Sequence, residues 1–243
     1  MITARQESGR RVLLALSERQ EIRVAVDMAA NLASGLGAPL QCVVVAQEDL
    51  LAAAGLPFVR VVGRGGQPLT MTPESVERHF HGVMRTVERE LALCSHRLKL
   101  AWDLAQSRSH YLDAMTDALT EGDVAVVGGS DLRTAAGGPA AGLRRLLQKA
   151  SAVVVPASRP VAKGSVRLLQ VADEPDATAL ANDIAAALGT TLESLTVPGL
   201  ARAPRHAAVV VASAATAETV GLAAFLRAAD AMGAAAVVLR QGA

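Results

Sequence analysis

A glycine-rich segment near the middle of the chain contains the residues best suited to binding chemistry. Residues 128–130 (Gly-Gly-Ser) follow an apolar run, and two further glycines stand at 137–138. Glycines let backbone N–H groups approach a phosphate closely where a helix begins, so this loop is a candidate anion site. Arg133 would offset the charge of an anion, whereas the carboxylate of Asp131 would repel it. Glycine loops are also common as simple turns, and that alternative stays open.

Other residue types that often carry chemistry form no recognisable set. His79 and His81 are two apart on a predicted helix, about 200° around it, so they cannot bind one metal ion from one face. Cys42 and Cys94 lie in separate apolar patterns, which indicates buried side chains rather than a disulfide or metal ligands. The sequence contains neither a Gly-x-Ser-x-Gly elbow nor a phosphate-binding P-loop. We therefore predict no catalytic residues, no metal site and no enzymatic activity.

Composition excludes several classes of function. Hydrophobic residues make up 51% of the 243 residues and charged residues 19%, which is typical of a folded protein with a substantial core. A formal net charge of +1 provides no field to attract nucleic acid or an anionic membrane. Aromatic residues make up only 2%, too few for stacking on nucleic-acid bases, and we assign Trp102 and Tyr111 to packing near the third strand. Without an apolar signal core or a stretch of about 18 apolar residues, the sequence favours a cytoplasmic location.

Apolar runs alternate with helical patterns along the first 160 residues. Strands are predicted near 11–16, 40–46, 99–105, 124–127 and 152–155, with helices between them. The longest helix is predicted to begin at Thr72, because a capping hydroxyl, a proline and an acid follow one another there. Alternating strands and helices predict a parallel sheet, whose ligands usually bind at the carboxyl ends of the strands.

A similar pattern begins again near residue 166. In both segments a strand leads to an alanine-rich helix, a helix-ending glycine (Gly37 and Gly189) and a second apolar strand. The second segment is predicted to contain strands at 166–171, 191–197, 207–212 and 235–239, and helices at 176–188 and 216–232. It lacks the long helix and one strand. We therefore predict two related α/β units, at 1–160 and 164–243, the second a shortened and degenerate tandem repeat after a linker at 157–164.

The first 160 or so residues resemble the universal stress protein family. The resemblance rests on the order and spacing of 12–16 (Val-Leu-Leu-Ala-Leu), 36–38 (Leu-Gly-Ala), 126–128 (Val-Val-Gly) and 146–150 (Leu-Leu-Gln-Lys-Ala). It implies a Rossmann-like, doubly wound, five-stranded parallel sheet of the adenine-nucleotide alpha-hydrolase type. It also implies a role in the stress response, a dimer and, in some members, an ATP or AMP site between the first and fourth strands.

The nucleotide site that this resemblance implies is altered in the present chain. Members that bind nucleotide have an aspartate directly after the first strand, where this chain has Ser17, and a second loop glycine where it has Asp131. Their Gly-Ser or Gly-Thr pair is replaced by 141–142 (Ala-Gly). In the second segment, 212–214 (Ala-Ser-Ala) replaces the glycines altogether. The residues left to form a cofactor site are Ser17, Gly128, Gly129, Ser130, Arg133 and Gly142.

Two functions remain open, and a third has no residues to support it. The first is a non-catalytic stress-response or regulatory protein that acts through dimerisation and protein contacts, with an eroded nucleotide site and no cofactor. The second is an ATP- or AMP-binding sensor that uses the modified glycine loop. The third is an enzyme on the same scaffold, for which the sequence offers no catalytic set.

The last strand of each segment predicts how the two segments associate. Residues 152–155 and 235–239 are apolar and contain no charge, proline or bulge signal, the usual protection of an exposed sheet edge. Related proteins dimerise through this strand, so we expect the two strands to pair within one chain as a pseudo-dimer. Chains would then form a homodimer through the remaining surface.

Overall fold

A computed structural model describes residues 10–17, 22–46, 48–56, 60–62, 67–134, 137–157, 164–170, 174–196 and 207–240. Most of the predicted linker at 157–164 lies outside these residues.

The strands and helices alternate along the chain, as the apolar runs predict. The strands are β1 (Val12–Ser17), β2 (Leu40–Ala46), β3 (Arg60–Val62), β4 (Pro68–Thr70), β5 (Trp102–Arg108), β6 (Val124–Val126), β7 (Ala152–Val155), β8 (Ser165–Gln170), β9 (Leu192–Thr196), β10 (Ala207–Ser213) and β11 (Ala235–Leu239). The helices are α1 (Ile22–Gly35), α2 (Glu48–Ala54), α3 (Pro73–Leu98), α4 (Tyr111–Ala118), α5 (Gly129–Thr134), α6 (Gly138–Leu147), α7 (Pro175–Ala187), α8 (Ala214–Val220) and α9 (Leu222–Ala231).

Nine of the strands form one open, mostly parallel sheet in the order β5-β2-β1-β6-β7-β11-β10-β8-β9. The exception to parallel pairing lies in its interior, where β7 and β11 run antiparallel and Val154 faces Val237. The predicted pairing of 152–155 with 235–239 is thereby confirmed. The five strands of the first segment do not form a sheet of their own, because this pairing makes them continuous with the four strands of the second.

Helices cover both faces of the sheet, and each face has its own apolar core. On one face α1, α3 and α7 bury side chains such as Val26, Leu91 and Ala181. On the other, α4, α6 and α9 bury Met115, Leu146 and Phe225. The central strands are buried on both sides, which explains why their sequences are apolar throughout rather than alternating.

Helix ends explain where the elements match the sequence prediction and where they differ. α3 begins as predicted, since the Thr72 hydroxyl accepts a hydrogen bond from the Ser75 N–H and the Ser75 hydroxyl accepts one from the Thr72 N–H. It ends at Lys99, which adopts a left-handed φ of 52°, so the next strand starts three residues later than predicted. The helix predicted at 216–232 is interrupted at Gly221, whose φ is 86°. Within the described ranges, no helix has both the length and the apolar character needed to cross a bilayer.

Candidate functional site

The sheet has two positions where neighbouring parallel strands connect onward in opposite directions. One lies between β1 and β6, and the other between β8 and β10. Such positions open a crevice at the carboxyl ends of the strands, and ligands of open α/β sheets usually bind there. We call the first the β1/β6 crevice (Ser17, Gly128 and Asp131) and the second the β8/β10 crevice (Glu174, Ser213 and Thr216).

A buried hydroxyl–carboxylate pair closes the β1/β6 crevice. The Ser17 hydroxyl, at the last residue of β1, donates a hydrogen bond of 2.8 Å to Oδ1 of Asp131. Asp131 is held there by the first turn of α5, which starts directly after β6. Ser17 is fully buried and Asp131 only 3% exposed. Ser17 and Asp131 therefore bind each other, and a buried carboxylate lies at the carboxyl ends of β1 and β6.

Tyr111 bonds the first backbone N–H of the glycine loop. Its hydroxyl donates to the carbonyl oxygen of Ala15 at 2.9 Å and accepts from the backbone N–H of Gly128 at 3.2 Å. The side chain is buried at the start of α4 and joins the chain at the ends of β1 and β6. We assigned Tyr111 to packing from the sequence, and its hydroxyl additionally bonds the first N–H of the glycine loop. The sequence offered one signal for a special role of Tyr111, namely that it is the sole tyrosine of the chain.

A cavity of about 410 Å³ lies beside the β1/β6 crevice, over the carboxyl ends of β6 and β7 and the amino end of β11. Gly128, Gly129, Ser130 and Arg133 line it, so four of the six predicted site residues lie together. The other two do not line it. Ser17 is bonded to Asp131, and Gly142 is buried within α6.

Both segments of the chain contribute to this cavity. The turn after β6, α1 and the end of β7 supply one side, and α9 with the start of β11 supplies the other. The ionisable side chains among the lining residues are Arg133 on α5, and Arg227 and Asp230 on α9. Nη1 of Arg133 lies 3.5 Å from the position a β-carbon on Gly129 would take, so the guanidinium rests over the glycine loop. Sequence reasoning missed the two residues on α9, because a polar helix face carries no mark of what lies opposite.

The β8/β10 crevice contains a similar pair of groups. The Ser213 hydroxyl, at the end of β10, donates to Oε1 of Glu174 at 2.7 Å, and the Thr216 hydroxyl donates to the same oxygen at 3.1 Å. Ser213 also accepts from the Thr216 N–H and so caps α8. The second carboxylate oxygen, Oε2, is buried and has no hydrogen-bond partner within the described part of the chain.

Neither cysteine is activated as a nucleophile. Burial raises the pKa of the Cys42 thiol well above its ordinary value. Burial, and then a hydrogen bond from the thiol to Asp27, raises the pKa of Cys94 to about 11. Both thiols are therefore protonated at neutral pH. Only the deprotonated form, the thiolate, is an effective nucleophile or metal ligand. Among the residues with described positions, no group of three or more His, Cys, Asp or Glu side chains is arranged to hold a metal ion.

Comparison with known proteins does not assign the chain to a family. No family model matches it. No curated protein sequence matches it either. The functional conclusion therefore depends on the geometry of the two crevices and the cavity.

Proposed function

We propose that the chain is a cytoplasmic, non-catalytic regulatory protein of the universal stress protein type, which acts through protein contacts. In this proposal the β1/β6 crevice no longer binds ATP or AMP. The observation that carries it is the hydrogen bond between Ser17 and Asp131, both buried and both at positions where the resemblance implies nucleotide-binding residues. The chain retains the scaffold while the polar groups of the site satisfy each other.

Electrostatics support the loss of nucleotide binding. A nucleotide phosphate would approach the carboxylate of Asp131 in a poorly solvated crevice, where like charges repel more strongly than in water. The hydrogen bond from the Gly128 N–H to Tyr111 would also have to break before that donor could face a phosphate. Both effects raise the free energy of the nucleotide-bound state.

The strand topology supports the tandem arrangement within this proposal. In the first segment the sheet order is β5-β2-β1-β6-β7, and β9-β8-β10-β11 repeats it without the outermost strand. The helix ends also match, because the N–H groups of 36–38 bond the carbonyls of 32–34 in the same pattern as 188–190 bond those of 184–186. We take the second segment to be a shortened copy of the first.

The proposed homodimer would use a helix-covered face rather than a sheet edge. The outermost strands are β5 and β9, which carry the exposed residues Asp103 and Glu193. Charges on an edge strand oppose edge-to-edge pairing. The surfaces of the flanking helices remain for contacts between chains or with a protein partner.

A nucleotide titration tests the proposal. We expect ATP and AMP, each with Mg²⁺, to leave the melting temperature of the wild-type protein unchanged at millimolar concentration. Asp131→Ala removes the repelling carboxylate, so any residual affinity should rise in this variant. Asp183→Ala, which removes an exposed carboxylate on α7, is the matched control and should behave like wild type. Tight ATP binding by the wild-type protein, unaffected by Asp131→Ala, contradicts the proposal.

One observation favours the ATP- or AMP-binding sensor as a second candidate. The cavity is open beside Gly128, Gly129 and Ser130, and Arg133 reaches over the loop with its positive charge. A nucleotide could therefore bind beside the crevice rather than in it. Saturable ATP binding that Arg133→Gln abolishes would support this candidate over the first.

A further inference from the structure

The charged side chains that line the cavity between the two segments suit a ligand with less negative charge than a nucleotide. Among the described residues, the cavity lining carries two positive side chains, Arg133 and Arg227, and one negative, Asp230. The net excess is one positive charge, which a single anionic group neutralises. An ATP molecule would bring several negative charges to a site that already contains Asp230. A monoanion is therefore the better electrostatic match.

The remaining walls determine what the rest of the ligand must be. They are formed mainly by aliphatic and proline side chains, including Leu132, Pro139, Val155 and Leu226. The described lining residues include no aromatic side chain, so they provide no ring on which an adenine could stack. A volume of about 410 Å³ falls within the range of small-molecule sites. Such walls favour a flexible aliphatic body.

We propose that this cavity is a binding site for an aliphatic carboxylate of medium chain length. The carboxylate lies between Arg133 and Arg227, and the hydrocarbon chain lies against the apolar walls. Guanidinium groups bind carboxylates well because their N–H donors match the two oxygens. The inference rests on the proposed function, since it supplies the ligand to which a non-catalytic regulatory protein would respond.

The position of the cavity gives this ligand a regulatory consequence. Arg133 belongs to the turn after β6, whereas Arg227 belongs to α9, which leads into β11. A carboxylate between them joins the two segments directly above the β7/β11 pairing. Ligand binding should therefore stabilise the association of the segments in addition to filling the cavity.

Calorimetric titration of the 243-residue protein with octanoate tests the proposal. We expect one saturable site per chain. Octan-1-ol, which has the same chain without the charge, should bind about tenfold more weakly or worse, as should octanoate to Arg133→Gln or Arg227→Gln. Arg85→Gln, on the exposed side of α3, is the matched control and should leave the affinity unchanged. Ala223→Phe, which places a ring in the cavity, should prevent binding, and its melting curve reports whether it remains folded.

The outcomes separate this inference from the proposed function. If neither octanoate nor ATP binds, the carboxylate site is wrong while the eroded nucleotide site stands. If ATP binds tightly and displaces octanoate, the cavity is a nucleotide site and both proposals fail. If octanoate binds both arginine variants as strongly as it binds the wild-type protein, the carboxylate does not lie between Arg133 and Arg227, and the proposal is contradicted. Loss of affinity in both variants, with an unaffected Arg85→Gln control, establishes it.

Discussion

The two crevices of the sheet contain the same kind of bond with its partners exchanged. In the β1/β6 crevice the hydroxyl comes from the end of the first strand, at Ser17, and the carboxylate comes from the turn after β6. In the β8/β10 crevice the carboxylate of Glu174 follows the first strand, and the hydroxyls lie at the end of β10 and in α8. Strand register puts Val124 opposite Val12 and Val209 opposite Val166.

Counting from these pairs matches one side of the exchange. Asp131 is seven residues beyond Val124 and Thr216 is seven beyond Val209, so an acid and a hydroxyl occupy equivalent positions there, whereas Ser17 is five beyond Val12 and Glu174 is eight beyond Val166. The two crevices therefore share a hydroxyl–carboxylate hydrogen bond, although the residues that form it differ. A hydrogen bond across the ends of two parallel strands holds the following helix in place in both cases.

The largest expected effect comes from a substitution that disrupts the pairing of the two segments through β7 and β11. Val154 is 1% exposed at the centre of β7, between β6 and β11. Val154→Lys buries an unpaired charge at a cost of roughly 3–5 kcal/mol, a large part of a typical stability of about 5–15 kcal/mol. We expect unfolding or loss of the native size, measured by circular dichroism and light scattering. Gln106→Lys, at an exposed position of the edge strand β5, is the control. A well-folded Val154→Lys protein of unchanged size would show that this strand is not an interface.

The next largest effect should come from the β1/β6 crevice. Ser17→Ala removes the hydroxyl that donates a 2.8 Å hydrogen bond to Asp131, so this buried carboxylate is less well compensated. We expect the free energy of unfolding to fall by about 1–3 kcal/mol, measured by urea denaturation. Ser34→Ala is a control for loss of a serine hydroxyl, because Ser34 is exposed on α1. Equal stability of both variants would argue against a structural role for the pair.

A smaller effect is expected in the β8/β10 crevice. Thr216→Val keeps the shape of the side chain and removes one of the two hydroxyls that donate to Glu174 Oε1. Because Ser213 still donates to that oxygen, the loss should be about 0.5–1.5 kcal/mol, less than for Ser17→Ala. A larger loss than in Ser17→Ala would mean that the second crevice, and not the first, depends more on its bond.

The smallest expected effect concerns an ion pair between the first and second segments of the chain. Arg144 on α6 forms a bidentate salt bridge with Glu218 on α8. Its Nε donates to Oε1, and its Nη2 donates to Oε2 at 2.8 Å. The hydrogen bond from Arg144 lowers the pKa of Glu218. A lowered carboxyl pKa adds stability at neutral pH, and this contribution disappears as the pH falls through the folded-state value. Since the side chains are 58% and 41% exposed, the contribution should be slight.

Comparing the urea midpoints of wild type and Glu218→Gln between neutral and acidic pH checks this expectation. The wild-type protein should be marginally more stable at pH 7, and the difference should vanish in acid. High salt should reduce the difference as well, because it screens exposed charges. A difference that grows as the pH falls would contradict the sign of the pKa shift.

The sequence predicts the elements of this fold better than it predicts the site. Apolar runs locate the central strands, and the unprotected strands at 152–155 and 235–239 predict the pairing that joins the segments. The start of β5 was misplaced because a lysine, Lys99, takes the left-handed conformation that usually marks a glycine. Local patterns fix local structure, and an exception to the usual residue preference shifts the boundary.

The site depends on contacts that no local pattern contains. Ser17 and Asp131 are 114 positions apart, and the exchange of acid and hydroxyl between the crevices becomes visible only from strand register. The cavity combines the glycine loop with α9, and only the packing of the two segments puts Arg133 and Arg227 in the lining of one cavity. The glycine loop itself could be predicted, because its residues are consecutive.

The antiparallel pairing at the centre of the sheet also has a consequence for synthesis on the ribosome. β11 is the last described strand in chain order, yet it lies between β7 and β10. While the polypeptide is being translated, both of these strands emerge before the strand that covers them. Until residues 235–239 follow, each presents unpaired backbone groups and apolar side chains to other nascent chains. We therefore expect the nascent chain to be most prone to aggregation during this interval, and a proteolytic cut that releases β11 to uncover two strand edges at once.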